Sequence, residues 1–141
     1  MLSDKTTSCS PEDIEMEAAI RNAKESVGQF LKTFFSRTER QKSFLLKVVF
    51  VEGGQAEHIW LADLVFSGNA SRGVVANEPR LSSLKFMQTV EFEPSQITDW
   101  MYVEDGYLVG GYTTRLIRER ITPSDRKAFD ASTPYKFREL A

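Results

Sequence analysis

The spacing of apolar residues changes period once along this chain, near residue 40, and the change limits what the chain can become. Before it, Ile14, Ala18, Val27, Phe30, Leu31, Phe34 and Phe35 recur at the three-to-four spacing of one helix face. After it, short apolar runs alternate and are cut by glycine and proline. One long helix followed by a run of strands lacks the strand–helix–strand crossovers that a parallel sheet needs. The order therefore predicts an α+β fold. The N-terminal helix packs on a strongly twisted antiparallel sheet, or half-open barrel, of five or six short strands, with short helices at the C-terminal end.

The local grammar fills in this outline. Ser10 and Pro11 suit the cap and first position of a helix, Asp13 stands three residues after the cap, and the helix is expected over 11–36. Residues 44–51 are apolar on both faces, as a central strand would be. Gly53-Gly54 supplies a hairpin turn into a strand over 57–66. Alternation there puts His58, Trp60, Ala62, Leu64 and Phe66 on one face and Glu57, Ile59, Leu61, Asp63 and Val65 on the other. Ser67-Gly68-Asn69 turns the chain into a strand over 72–76, which Pro79 helps to end. Further strands are expected over 87–92 and over 98–103 with 107–109, the last two flanking an Asp105-Gly106 turn. Helices over 112–120 and 123–130 follow. In domain terms, residues 1–10 read as a flexible N-terminus, 11–130 as the folded core of a single domain, and 131–141 as a loosely ordered tail.

Composition removes several function classes. The net charge of −2 gives no global pull toward nucleic acid, and the basic stretch from Arg115 to Lys127 is interrupted by Glu119 and Asp125. No apolar run approaches the about 20 residues of a membrane-spanning helix, and residues 1–10 lack the hydrophobic region of a signal peptide or lipoprotein leader. A cytoplasmic location is the expectation, with no nucleic-acid and no membrane partner. A single cysteine, Cys9, excludes an internal disulfide, and one histidine with one cysteine makes a metal site unexpected. No motif calls for a cofactor. Gly106 to Gly111 is no phosphate loop, because no Gly-Lys-Ser/Thr follows.

The residues that carry candidate chemistry cluster in two places. His58 is the only histidine, and its side chain titrates near neutrality without help. Glu57 points to the opposite face of the same strand, so the two form no adjacent dyad. A histidine stacked near Trp60 and satisfied by the backbone is the alternative reading. In the second place, Asp99 and Met101 share one face, while Trp100 and Tyr102 share the other and suit either a core or an aromatic recognition surface. Asp99 is placed to hold Arg115 or the Thr113 hydroxyl. Gly110-Gly111 before Tyr112 reads as a tight strand-to-helix turn, or as exposed N–H groups facing an anion.

Taken together, several segments resemble the bacterial domain-of-unknown-function 2314 family, the YegJ-like proteins. They are Glu57-His58-Ile59-Trp60, Gly73, Ala76-Asn77-Glu78-Pro79 and Val90-Glu91-Phe92, then residues 97–103, Asp105-Gly106 and residues 108–115. Their order and spacing fit over about residues 14–118. One departure stands before the fourth strand: the resemblance implies Lys-x-Gly-Asp, and this chain has Lys85-Phe86-Met87-Gln88. The resemblance implies a small accessory or binding module and transfers no catalytic residue. The expectation is thus a non-enzymatic domain recognising a protein or small ligand where Trp60, Asp99, Trp100, Tyr102, Gly110, Gly111, Tyr112 and Arg115 converge. Two alternatives stay open: a small hydrolase-like enzyme using His58 as general base with Asp99 or Glu57, and an immunity or stress-system partner protein.

Overall fold

The structure, a computed structural model, describes residues 11–68 and 70–138. Helix α1 spans Pro11–Phe35. Ala23 and Phe30 on its apolar stripe are fully buried, and Val27, Leu31 and Phe34 pack against the same core. The last turn leaves carbonyls without helical partners. The Ser36 hydroxyl donates to the Lys32 carbonyl (2.8 Å) and the Arg37 guanidinium to that of Phe34 (2.6 Å). The proposed cap Ser10, like Cys9 and Asn69, lies outside the described residues.

Six strands follow: β1 (Gln41–Glu52), β2 (Gln55–Val65), β3 (Ser71–Val75), β4 (Thr89–Phe92), β5 (Ile97–Glu104) and β6 (Tyr107–Gly110). Helices α2 (Tyr112–Arg120) and α3 (Pro123–Ser132) follow the strands. Gly53 and Gly54 both take positive φ (58° and 80°), which matches the right-handed twist of a two-residue hairpin. Thr122 caps α3, its hydroxyl accepting from the Asp125 N–H at 3.1 Å.

All six strands form one antiparallel sheet in the order β4-β3-β2-β1-β5-β6. The chain is therefore no simple meander, because β5 returns to the free side of β1. Residues 93–96 alone connect β4 to β5. In a flat sheet those strands would stand about 19 Å apart, four strand spacings. Five Cα steps reach roughly 17 Å at full extension, and three of the linking residues are coiled into a 3-10 turn. The sheet must curl. It remains open-edged and wraps one face around α1, where Leu46, Val48, Ile59, Leu61, Val75 and Trp100 share one core cluster with Phe30.

Three local features differ from simple alternation. Asp63 takes φ 48° and shifts the β2–β3 register between Ala62 and Val65. This bulge inserts one residue, so Leu64 and Phe66 leave the face of Trp60 and join the core. At the start of β4, Met87 takes φ 72° and belongs to a turn closed by Gln88, whose N–H donates to the Lys85 carbonyl at 3.1 Å. The strand consequently begins at Thr89. Residues 133–138, expected to be loosely held, are tied to the sheet edge. The Lys136 carbonyl accepts from the Leu108 N–H, and the Lys136 N–H donates to the Gly106 carbonyl, both at 2.9 Å. Phe137 lies under the Arg118 guanidinium at 4.5 Å.

Candidate functional site

Asp99 is completely buried on the face of β5 turned away from α1. One carboxylate oxygen accepts the N–H groups of Trp100 (2.8 Å) and Tyr112 (3.1 Å); the other accepts the Thr113 N–H (2.9 Å) and the Thr113 hydroxyl. Tyr112 and Thr113 open α2, so Asp99 caps that helix from a distant strand. Gly111 occupies the cap position itself in the left-handed region (φ 68°) and has no side chain to do this work. Burial pushes the Asp99 carboxyl above its ordinary range, while the hydrogen bonds from Thr113 and Trp100 and the nearby Lys47 charge pull it back.

The other residues of the 97–115 stretch are divided between core and scaffold. Trp100 and Tyr102 are buried on the α1 side, 1% and 3% exposed. The Trp100 indole N–H donates to the Ala23 carbonyl and to Ser26 Oγ, both at 3.1 Å. Tyr112 stands edge-on to Trp100 at 5.8 Å and accepts from the Ser26 hydroxyl. Gly110 has φ 77°, and a Cβ there would meet the Trp100 ring at 2.5 Å. Arg115 reaches back to the carbonyls of Gly110 (2.7 Å), Leu108 (2.8 Å) and Arg138. Its guanidinium thus staples β6 to α2 and the tail. Trp60 lies on the opposite face of the sheet from Trp100 and Tyr102, so the expected aromatic convergence does not form.

A different group does assemble around Trp60. Lys47 and Asp99 are register partners on β1 and β5. The Lys47 ammonium donates to Thr113 Oγ1 at 2.8 Å and stands 5.0 Å over the Trp60 ring. The Thr113 hydroxyl in turn donates a hydrogen bond to Asp99, which makes a Lys47–Thr113–Asp99 hydrogen-bonded chain. A register shift between Lys47 and Val48 leaves Thr98 as an extra residue in β5. Its hydroxyl lies 3.0 Å from His58 Nδ1. Burial lowers the His58 pKa, and the Lys47 charge lowers it further. Burial likewise lowers that of Lys47, against the opposing pull of Asp99.

His58 therefore has a threonine partner, and neither candidate carboxylate accompanies it. Asp99 already accepts three hydrogen bonds from α2 and one from Trp100. Glu57 faces the core side, where it accepts from the N–H groups of Arg80 (2.8 and 2.9 Å) and Leu81 (2.9 Å) and anchors the 78–84 loop. The Thr113 hydroxyl was expected as a partner of Asp99; Lys47 and Thr98 carried no expectation from the sequence. The lone cation inside the apolar run of residues 44–51 was the available signal for Lys47. Among the described residues, no cluster of three or more His, Cys, Asp or Glu side chains is placed to hold a metal ion.

Beside Trp60 the sheet opens. The β1–β2 ladder stops at Leu46 opposite Leu61, and both strands bulge just beyond it, at Ser43 (φ 57°) and Asp63 (φ 48°). The strands part there and leave a cleft of about 630 Å³. Leu45, Trp60, Ala62 and Met101 line it from the outer face, Phe34, Phe44 and Leu64 from the core side, and Tyr135 from the tail. No helix among the described residues is long and apolar enough to cross a membrane, which says nothing of spanning strands.

Comparison with known proteins places this geometry in a family. The domain-of-unknown-function 2314 family, described as uncharacterized proteins conserved in bacteria, matches over residues 13–137. The chain is 28% identical to the uncharacterized protein YegJ of Escherichia coli over 99 residues, 70% of this chain and 63% of that protein. It is 30% identical to a putative ankyrin repeat protein of Neisseria meningitidis over 129 residues, 85% of this chain and 51% of that protein. It thus spans less than two thirds of the length of either curated relative. No solved structure matches. The match along nearly the whole described chain settles membership: the chain belongs to the domain-of-unknown-function 2314 family of bacterial proteins.

Proposed function

We propose that the chain is a non-enzymatic accessory domain that binds a ligand or partner in the cleft beside Trp60. The observation that carries this reading is the parting of β1 and β2. Two positive-φ bulges at non-glycine residues open an apolar cleft in the middle of an otherwise paired sheet. Such backbone costs about 1–3 kcal/mol per residue and clusters at functional sites. The volume falls within the range of small-ligand sites, and aromatic and aliphatic side chains line it as in such sites. The relation to a protein named as an ankyrin repeat protein fits an accessory role, since repeats of that kind build extended binding surfaces.

The geometry around His58 favours binding over hydrolysis. A general base needs a substrate proton in reach and usually an orienting acid, and the partner of His58 is a neutral hydroxyl. A panel of apolar and amphipathic fragments screened by two-dimensional NMR tests the reading. Shifts gathered on Leu45, Trp60, Ala62 and Met101, and lost in Trp60→Ala, are expected. Ligands whose shifts map elsewhere on the protein, or a screen in which nothing binds, would overturn it.

A further inference from the structure

Like the Arg37 guanidinium, the Lys47 ammonium near the cleft has no direct counter-charge among the described residues. Among the described residues no carboxylate lies within ion-pair distance of it, although four other cationic side chains have such partners. Asp99 stands opposite it in the register but is separated by the Thr113 hydroxyl and already accepts four hydrogen bonds. An ammonium carries three donors. One of them goes to Thr113, and the group lies over the face of Trp60, a residue that also lines the cleft. His58 stands on the same face, two residues before Trp60, with Nδ1 held by Thr98.

We propose that Lys47 anchors the carboxylate of an apolar-tailed ligand whose tail fills the cleft, with Trp60 packed against both parts. This rests on the reading of the cleft as the binding site and adds the class of ligand. The cleft supplies the apolar body with Leu45, Ala62 and Met101; Lys47, at the Trp60 end, supplies its ammonium and two donors that bond no described residue. Asp63 lies three residues further along β2 and repels a carboxylate from that part of the cleft. Arg37 also lines the cleft, but its guanidinium donates to the Phe34 carbonyl and stacks on the Phe34 ring at 4.4 Å. The free C-terminus of an apolar peptide and a medium-chain fatty acid share the required chemistry.

Calorimetric titration with octanoate and octanol, followed in parallel by the indole N–H signals of the two tryptophans, tests the assignment. Octanoate is expected to bind about tenfold tighter than octanol, the worth of one charge-assisted contact. It should move the Trp60 signal and spare that of Trp100. Lys47→Met should abolish the preference for the acid, Lys47→Arg should retain most of it, and Arg37→Gln should leave it intact. An apolar hexapeptide with a free C-terminus that outbinds both octanoate and its own amidated form would assign the source to a polypeptide. The reverse ranking would assign it to a fatty acid. Equal binding of octanol and octanoate overturns the anchor but keeps the cleft. Loss of the preference in Arg37→Gln instead of Lys47→Met moves the anchor to Arg37 and overturns the proposal. Absence of binding by every probe overturns both readings.

Discussion

The carboxylate of Asp99, on β5, lies 2.9 Å from the backbone N–H of Thr113, in the first turn of α2, and bonds the hydroxyl of the same residue as well. A strand residue thereby does the work of the missing cap side chain at Gly111. Asp99→Ala removes four acceptor contacts in a site without solvent and should destabilise the protein by about 2–4 kcal/mol. Asp99→Asn presents an amide donor to N–H groups and should recover little of that. Denaturant midpoints measure both, and a loss below 1 kcal/mol would contradict the capping role.

Gly110 faces the Trp100 ring with no room for a methyl group. Its φ of 77° adds a backbone penalty for any other residue. Gly110→Ala should therefore cost about 2–5 kcal/mol, combining left-handed strain with overpacking. Gly106, which has a similar φ and open space around it, should cost less when changed to alanine, about 1–2 kcal/mol. The difference between the two variants isolates the contact with Trp100.

Met87 is 63% exposed and takes φ 72° at the position where the family resemblance implies glycine. Left-handed backbone costs a non-glycine residue about 1–2 kcal/mol, and glycine returns about 0.5–1 kcal/mol of that as chain entropy. Met87→Gly should therefore leave stability unchanged or raise it by up to about 1.5 kcal/mol. A thermal melt showing clear destabilisation would mean that the Met87 side chain makes contacts worth more than the strain.

Glu57 gathers three N–H contacts from Arg80 and Leu81. Glu57→Gln replaces one acceptor oxygen by a donor facing an N–H, which should cost about 1–3 kcal/mol. The loop over 78–84 should also loosen, so limited proteolysis should cut the variant there before any other site.

His58 has its pKa lowered in the folded protein by burial and by Lys47. As pH falls through about 6.5 the unfolded chain takes up the proton first. The unfolded state is then favoured, and stability is lost progressively below that pH until the folded pKa is passed. His58→Gln should flatten this part of the stability profile below about pH 6.5. An unchanged slope in the variant would show that His58 is equally solvated in both states.

Much of the architecture was legible because it follows from short-range rules. The helix ending at Phe35, the Gly53-Gly54 turn, the Asp105-Gly106 turn, and α2 over Tyr112–Arg120 depend on residue period and on φ preferences within a few positions. The Thr113 hydroxyl as a partner of Asp99 was also foreseeable, since both flank one glycine break. The strong twist of the sheet was also expected, but the place of β5 beside β1 was not legible, because it depends on how far residues 93–96 can reach.

The sequence by itself determined which segments are helix and strand and that the 97–115 stretch forms a hairpin and a helix start, because those outcomes are set by neighbours in the chain. Only the tertiary structure decided which side chains meet. The bulge at Asp63 moved Leu64 and Phe66 into the core, and the bulge at Thr98 brought its hydroxyl to His58. Register placed Lys47 between Trp60 and Asp99 and sent Trp100 and Tyr102 to the buried face of the sheet. One inserted residue exchanges the two faces of a strand, and its position is set by pairing with strands that lie far away in sequence.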